Sequence, residues 1–267
     1  MSLSSMIGGL YEWFSGQSSR SSWSAPSYAD VCTARAYLKA LSLPTEIVLQ
    51  ILESAEYWPK YEVEHRRTTA ANARHGRGTA ALCFSESLYD NSLVDELRAN
   101  GEMPKVKSIE FDIESADQGW TSEMTQGTFN TSSWLEVSIL RNMNRDSAHT
   151  TGHDAYTYNS PLDYHDSLSG EGLVKRPASA LQGLQDGEGD FAWYLQGNRV
   201  VAGFCNYRVL WTADGCGANV GNEGAGSGEG FIRELRDGDQ LVVWARAKYT
   251  GWQCIVKGIN LSIRYGF

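Results

Sequence analysis

The chain has 267 residues, 42% of them hydrophobic, and a formal net charge of -9. That length can bury a substantial core without a disulfide or metal staple. The acidic balance, with no long Lys/Arg stripe, argues against a nucleic-acid phosphate backbone as partner, and no apolar run approaches the roughly 20 residues of a membrane span.

Five cysteines (Cys32, Cys83, Cys205, Cys216, Cys254) are scattered and form no C-x-x-C pair. This points to reduced thiols and a cytoplasmic or nuclear location; separately, no cofactor is expected. The first residues lack a basic segment followed by an apolar one, so no secretory leader is expected. The sequons at Asn130 and Asn260 are too short a pattern to overturn that.

Residues 1 to 28 mix Gly, Ser and isolated aromatics and read as an arm. From Tyr28 to Leu41 an alanine-rich run suits a helix. A second helix is expected from Pro44, with Glu46 at its positive end, an apolar face of Ile47, Val48, Ile51, Leu52 and Ala55, and Pro59 as its stop. Residues 66–78, rich in Ala, Arg, Thr and Gly, read as a flexible connector that holds Arg66, Arg67, Arg74 and Arg77. A third helix is expected within 85–100, carrying Leu88, Leu93, Val94 and Leu97 and stopped by Asn100-Gly101.

After Pro104 the period becomes two. Ile109, Phe111 and Ile113 alternate with Ser108, Glu110, Asp112 and Glu114, and Leu135-Val137-Ile139, Leu241-Val243-Ala245 and Ile255 to Tyr265 repeat the pattern. Further strands are expected at Phe191 to Leu195 and Tyr207 to Trp211. With Gly, Asp, Asn and Ser between strands and no helical pattern there, parallel βαβ construction is excluded. The expected fold is mainly β: an antiparallel β-sandwich, jelly-roll-like, over 105–267, preceded by a small α-helical N-terminal region over 1–104. A polar stretch at about 142–190 reads as a long loop inserted into the sandwich.

Leu43-Pro44-Thr45-Glu46-Ile47, followed by Ile51-Leu52 and Ala55-Glu56-Tyr57-Trp58, resembles the opening of an F-box. That resemblance implies docking on a Skp-type ubiquitin-ligase adaptor through Leu43, Pro44, Ile47 and Ile51. The C-terminal half, through Asp117-Gln118-Gly119-Trp120, Gly127-Thr128-Phe129, Trp134 to Val137, Gly226 to Phe231, Gly238 to Ala247 and Gly251-Trp252, resembles a β-sandwich of uncharacterised fungal proteins. There it often follows an F-box-like segment, and its shape is similar to galactose-binding-like and F-box-associated sandwiches. Together these imply an intracellular adaptor whose sandwich binds a substrate protein.

The alternative is a carbohydrate-binding, lectin-like sandwich. Six of the nine Trp fall in this half; Trp134 and Trp244, inside strands, suit core packing, whereas Trp120 and Trp252 lie beside glycines where a ring can stack on a sugar. Asp117, Gln118 and Asp239 would supply hydrogen bonds to it. Catalysis is not expected. Gly215 to Gly230 carries neither G-x-G-x-x-G nor a Walker lysine, and it suits a hairpin loop whose Gly224, Gly226 and Gly228 admit a ligand or a neighbouring strand. No G-x-S-x-G elbow exists. His149, His153 and His165 with Asp154, Asp163 and Asp166 fix no metal geometry, so no metal is expected. Glu110, Asp112, Glu136 and Glu229 are the carboxylates from which a glycan-active enzyme, the third possibility, would draw an acid and base.

Overall fold

The computed structural model describes residues 25–74, 77–141, 157–168, 172–178, 189–213 and 221–266, with the single positions 180, 183, 185 and 219. The chain divides into two compact units, 1–57 and 58–267. The boundary expected at 104/105 therefore falls inside the second unit.

The first unit contains α1 (Tyr28–Ala40) and α2 (Thr45–Ser54). A capping box opens α1: the Asp30 backbone N–H donates to Ser27 Oγ, and Asp30 Oδ2 accepts from the Ser27 backbone N–H. Pro44 stands one position earlier than expected, as the residue preceding α2, with its carbonyl accepting from Val48 N at 3.1 Å.

The second unit is mainly β and every strand pairing is antiparallel. Its elements are β1 (Lys60–His65), β2 (Thr69–Asn72), β3 (Thr79–Ser87), α3 (Ser92–Ala99), β4 (Lys105–Ala116), β5 (Ser133–Arg141), β6 (Thr157–Tyr158), α4 (Pro161–Ser167), β7 (Gly172–Leu173), β8 (Trp193–Gly197), β9 (Cys205–Thr212), α5 (Phe231–Glu234), β10 (Gln240–Ala247) and β11 (Gln253–Gly266). One sheet runs β1-β11-β4-β9 with β2 also on β11; the other runs β6-β3-β10-β5-β7 with β8 also on β5.

Two expectations are corrected here. The flexible connector contains β2, which pairs with the start of β11 and buries Thr69 and Ala71. The third helix lies within its expected range, over Ser92–Ala99, but Leu88 is not on it, because β3 continues to Ser87. Asn91 opens α3: its Oδ1 accepts from Val94 N at 3.0 Å while its Nδ2 donates to Tyr265 Oη at 3.1 Å, tying the helix start to the last strand.

The inward side chains obey the alternation seen in the sequence. Ile109, Phe111 and Ile113 of β4, Leu261 and Ile263 of β11, Val137 and Ile139 of β5 and Leu241 and Val243 of β10 are all buried. Phe231 of α5 joins the sheets, 5.0 Å from the Trp211 ring and 5.1 Å from the Trp193 ring.

A second apolar cluster lies on the other side of the β5–β10–β3 sheet, where Trp244, Val242, Leu140 and Ala80 are buried. It is covered by Tyr158, Tyr164, Leu168 and Leu173, from the segment expected to form a loop, and by Phe191, expected to open a strand. Residues 142–156, 169–171, 179, 181, 182, 184 and 186–188 of that segment lie outside the described residues; among the described ones β6, α4 and β7 are regular structure where a loop is expected.

Candidate binding site

The residues proposed to contact a ligand separate into two ends of the second unit. Asp117, Gln118, Trp120 and Trp252 come together where β4 ends and β11 begins. Asp239 does not join them: it is buried before β10, where Arg141 grips it with Nε to Oδ1 and Nη2 to Oδ2, both at 2.8 Å, and Arg236 N donates to Oδ2 at 2.8 Å. Asp239 is a structural anchor rather than a ligand contact. The pairing holds the Arg141 guanidinium above its usual pKa, because the protonated form donates to the carboxylate.

Asp117 is corrected likewise. It is buried, and its two oxygens accept from Gly119 N and Val201 N at 2.9 Å each, so it fixes the loop instead of facing solvent. Gln118 is held by backbone on both sides, donating to Trp120 O at 2.6 Å and accepting from Gln253 N at 3.3 Å.

Those bonds present Trp120, whose surface is 59% exposed. A Cβ on Gly251, which holds φ at +93°, would sit 3.4 Å from the edge of that indole, so the ring lies against bare backbone. Trp252 follows and is half-buried. It lines a depression of about 340 Å³ with Asn72, Ala73, Arg74, Thr250 and Gln253. Tyr249, also mostly exposed, carries Lys248 Nζ 5.5 Å from its ring centre. The exposed Trp120 ring thus packs on Gly251, which with Trp252, Asn72, Arg74 and Gln253 borders a shallow hollow. Tyr249 is not among the sequence candidates, and neither are Asn72 and Arg74, which lie in the segment that reads as a connector.

The glycine-rich loop approaches its own protein. A Cβ on Gly226 would fall 1.8 Å from Tyr194 O, and one on Gly228, with φ at +63°, would fall 2.2 Å from the Trp211 ring. Trp211 Nε1 donates to Gly226 O at 2.9 Å. The close neighbour is strand, not ligand.

Of the four candidate carboxylates, Glu110 pairs with Arg208 at 2.7 Å. Glu136 is buried beside Arg246, 3.2 Å from its Nε, and accepts from Trp134 Nε1 at 2.9 Å and Gln185 Nε2 at 2.8 Å. The Glu229 carbonyl accepts from Trp193 Nε1 at 2.9 Å. Asp112 faces outward on β4. His165 stacks on Phe191 at 4.2 Å and accepts from Leu173 N at 3.0 Å, a packing role. His149, His153 and Asp154 lie outside the described residues. Among the described residues no group of three or more His, Cys, Asp or Glu is placed to hold a metal ion, four cysteines are free, and no helix is long and apolar enough to cross a membrane.

Leu43 and Pro44 lead into α2. Val48 and Leu52 are buried, whereas Ile47 and Ile51 are each 40% exposed and Leu49 is 38% exposed. The helix therefore leaves three apolar side chains partly exposed beside the two that it buries. No known protein family model, no curated protein and no solved structure matches this chain.

Proposed function

We propose that this chain is an adaptor. The F-box-like segment docks on a Skp-type ubiquitin-ligase adaptor through Leu43, Pro44, Ile47 and Ile51, and the β unit, a jelly-roll-like sandwich, holds a substrate protein. The observation that supports the docking half is the exposed pair Ile47 and Ile51, one helical turn apart on a helix that already buries Val48 and Leu52. Leu49 adds a third exposed apolar side chain. Helix-in-groove recognition uses apolar anchors at such spacing.

The test is a pull-down of the full chain with a purified Skp adaptor beside the Leu43→Asp, Ile47→Asp double variant. Capture that the double variant loses, while the thermal transition of the β unit stays in place, is the expected result. Equal capture of both proteins, or none of either, sinks this reading.

A second reading has its own observation. The exposed face of Trp120 above Gly251, beside Tyr249 and the Trp252 depression, has the flat apolar surface and flanking hydrogen-bonding groups that sugar recognition needs. In that case a glycan quenches or shifts indole fluorescence, and Trp120→Ala removes the signal with little change in unfolding temperature.

A further inference from the structure

The outward face of the β1-β11-β4-β9 sheet is polar, and strand register aligns its side chains. Glu64, Asn260, Asp112 and Arg208 form one row across all four strands, and Glu62, Ser262 and Glu110 stand in the adjacent row. On the other side of the first row the register of β11 shifts between Val256 and Gly258, and Gly258 has no side chain to fill the surface. The face dips there. Depressions of about 200 and 270 Å³ adjoin, with Asp112 and Asn260 in the wall of both.

Most carboxylates on this face are paired with a cation. Lys60 neutralises Glu62 at 2.7 Å, Arg66 neutralises Glu64, Arg208 neutralises Glu110 at 2.7 Å and Lys257 neutralises Glu114 at 3.0 Å. Asp112, between the two depressions, has neither an ion pair nor a hydrogen bond among the described residues. Partial burial, and then the Glu110 charge, push its carboxyl above the usual value, and the charges of Arg208 and Lys60, each engaged with another carboxylate, offset this only in part. The amides of Asn206 and Asn260 border the same hollow.

We infer that Asp112 is the anchor for a single arginine side chain of the protein that the β unit holds, received in the hollow beside Gly258. A guanidinium offers five donors in a planar fork. The Asp112 carboxylate takes two of them, and the amide oxygens of Asn206 and Asn260 can accept others. A lysine would leave more of those acceptors unused, and a neutral sugar would leave Asp112 without a counter-charge. This assignment rests on the adaptor reading for the nature of the occupant, but not on α2 or its partner.

The test uses the full chain, labelled with nitrogen-15, titrated with an acetylated, amidated Ala-Ala-Arg-Ala-Ala peptide and its citrulline counterpart, which keeps the shape and loses the charge. The expected result is saturable shifts of the Ile113, Asn206 and Gly258 backbone amides at millimolar peptide, weakening with added salt. Binding should be at least about tenfold weaker for the citrulline peptide and for Asp112→Asn. Thermal unfolding of Asp112→Asn checks that it is folded. The assignment is overturned by no shift at these amides, by equal binding of the citrulline peptide, or by unchanged binding to folded Asp112→Asn. Shifts confined to the Trp120 and Trp252 indoles also overturn it while leaving the β unit a partner-holding element. Because the Skp pull-down reads a different surface, failure there and failure here are distinguishable.

Discussion

The outer face of the β1-β11-β4-β9 sheet is polar and laced with ion pairs, whereas the corresponding face of the β3-β10-β5 sheet is mostly apolar around one buried ion pair, and its apolar cluster lies beneath β6, α4 and β7. Both sheets satisfy their backbones in the same way, so the difference lies in the residues between the inward positions. In β4 those are Ser108, Glu110, Asp112 and Glu114, while in β10 they are Val242, Trp244 and Arg246. A strand that is apolar on both faces must find a second cover, and the segment after β5 supplies it. The first sheet leaves its polar side chains toward solvent, and the second buries both of its faces.

That contrast predicts effects of very different size. Trp244→Ala should be the most damaging change. The ring donates to Ser138 Oγ at 3.0 Å and has Tyr158 and Tyr164 edge-on at 6.1 and 5.2 Å. Its loss should cost about 4 kcal/mol in urea unfolding, and a cost near zero would mean that the cover is not seated on the sheet.

Glu136→Gln should come next, at about 3 kcal/mol, because it removes one member of a buried pair with Arg246, whose guanidinium also lies 5.5 Å from the Trp134 ring. The double replacement Glu136→Met, Arg246→Leu should recover much of that loss, since paired apolar residues avoid desolvating two charges. A double variant as unstable as the single one would show that the pair does more than balance its own burial.

Asp112→Asn on the open face should change stability by less than about 0.5 kcal/mol, and its pH dependence gives the sign. The folded chain holds this carboxyl above its unfolded value, so the ionised form is disfavoured in the fold and destabilises it at neutral pH. That penalty disappears as pH falls through the raised folded pKa. Between pH 7 and about 4 the wild type should therefore gain slightly on Asp112→Asn, which cannot take up the proton. The opposite trend in paired unfolding curves would mean that Asp112 has found a cation.

The contrast also explains what could be read from the sequence. β4, β5, β10 and β11 follow the alternation because each buries one side in the shared core, and that signal needs no tertiary knowledge. β2 and β3 did not announce themselves: Thr69 to Asn72 and Thr79 to Leu82 are dominated by Ala and Thr, and what makes them strands is pairing with β11 and β10 and the burial of Ala71, Ala80 and Ala81. The cover was illegible because Tyr158, Tyr164, Leu168, Leu173 and Phe191 follow no fixed period, each being placed by the surface it meets. At the candidate site the exposed Trp120 was readable from its glycine neighbours. The buried roles of Asp117 and Asp239 were not, because a carboxylate that caps a loop and one that meets solvent look alike in sequence.

The edge of β9 is finished by side chains that imitate a strand: Asn219 Oδ1 accepts from Leu210 N at 2.8 Å, and Asn222 Nδ2 donates to Arg208 O at 3.1 Å and to Gln196 Oε1 at 2.7 Å. These two amides would age differently. Deamidation at position 219 leaves an oxygen that still accepts, whereas at position 222 it puts a carboxylate against two oxygens and repels both. Deamidation at position 222 would thus remove one of the two side chains that guard this edge, whereas at position 219 it would leave both in place.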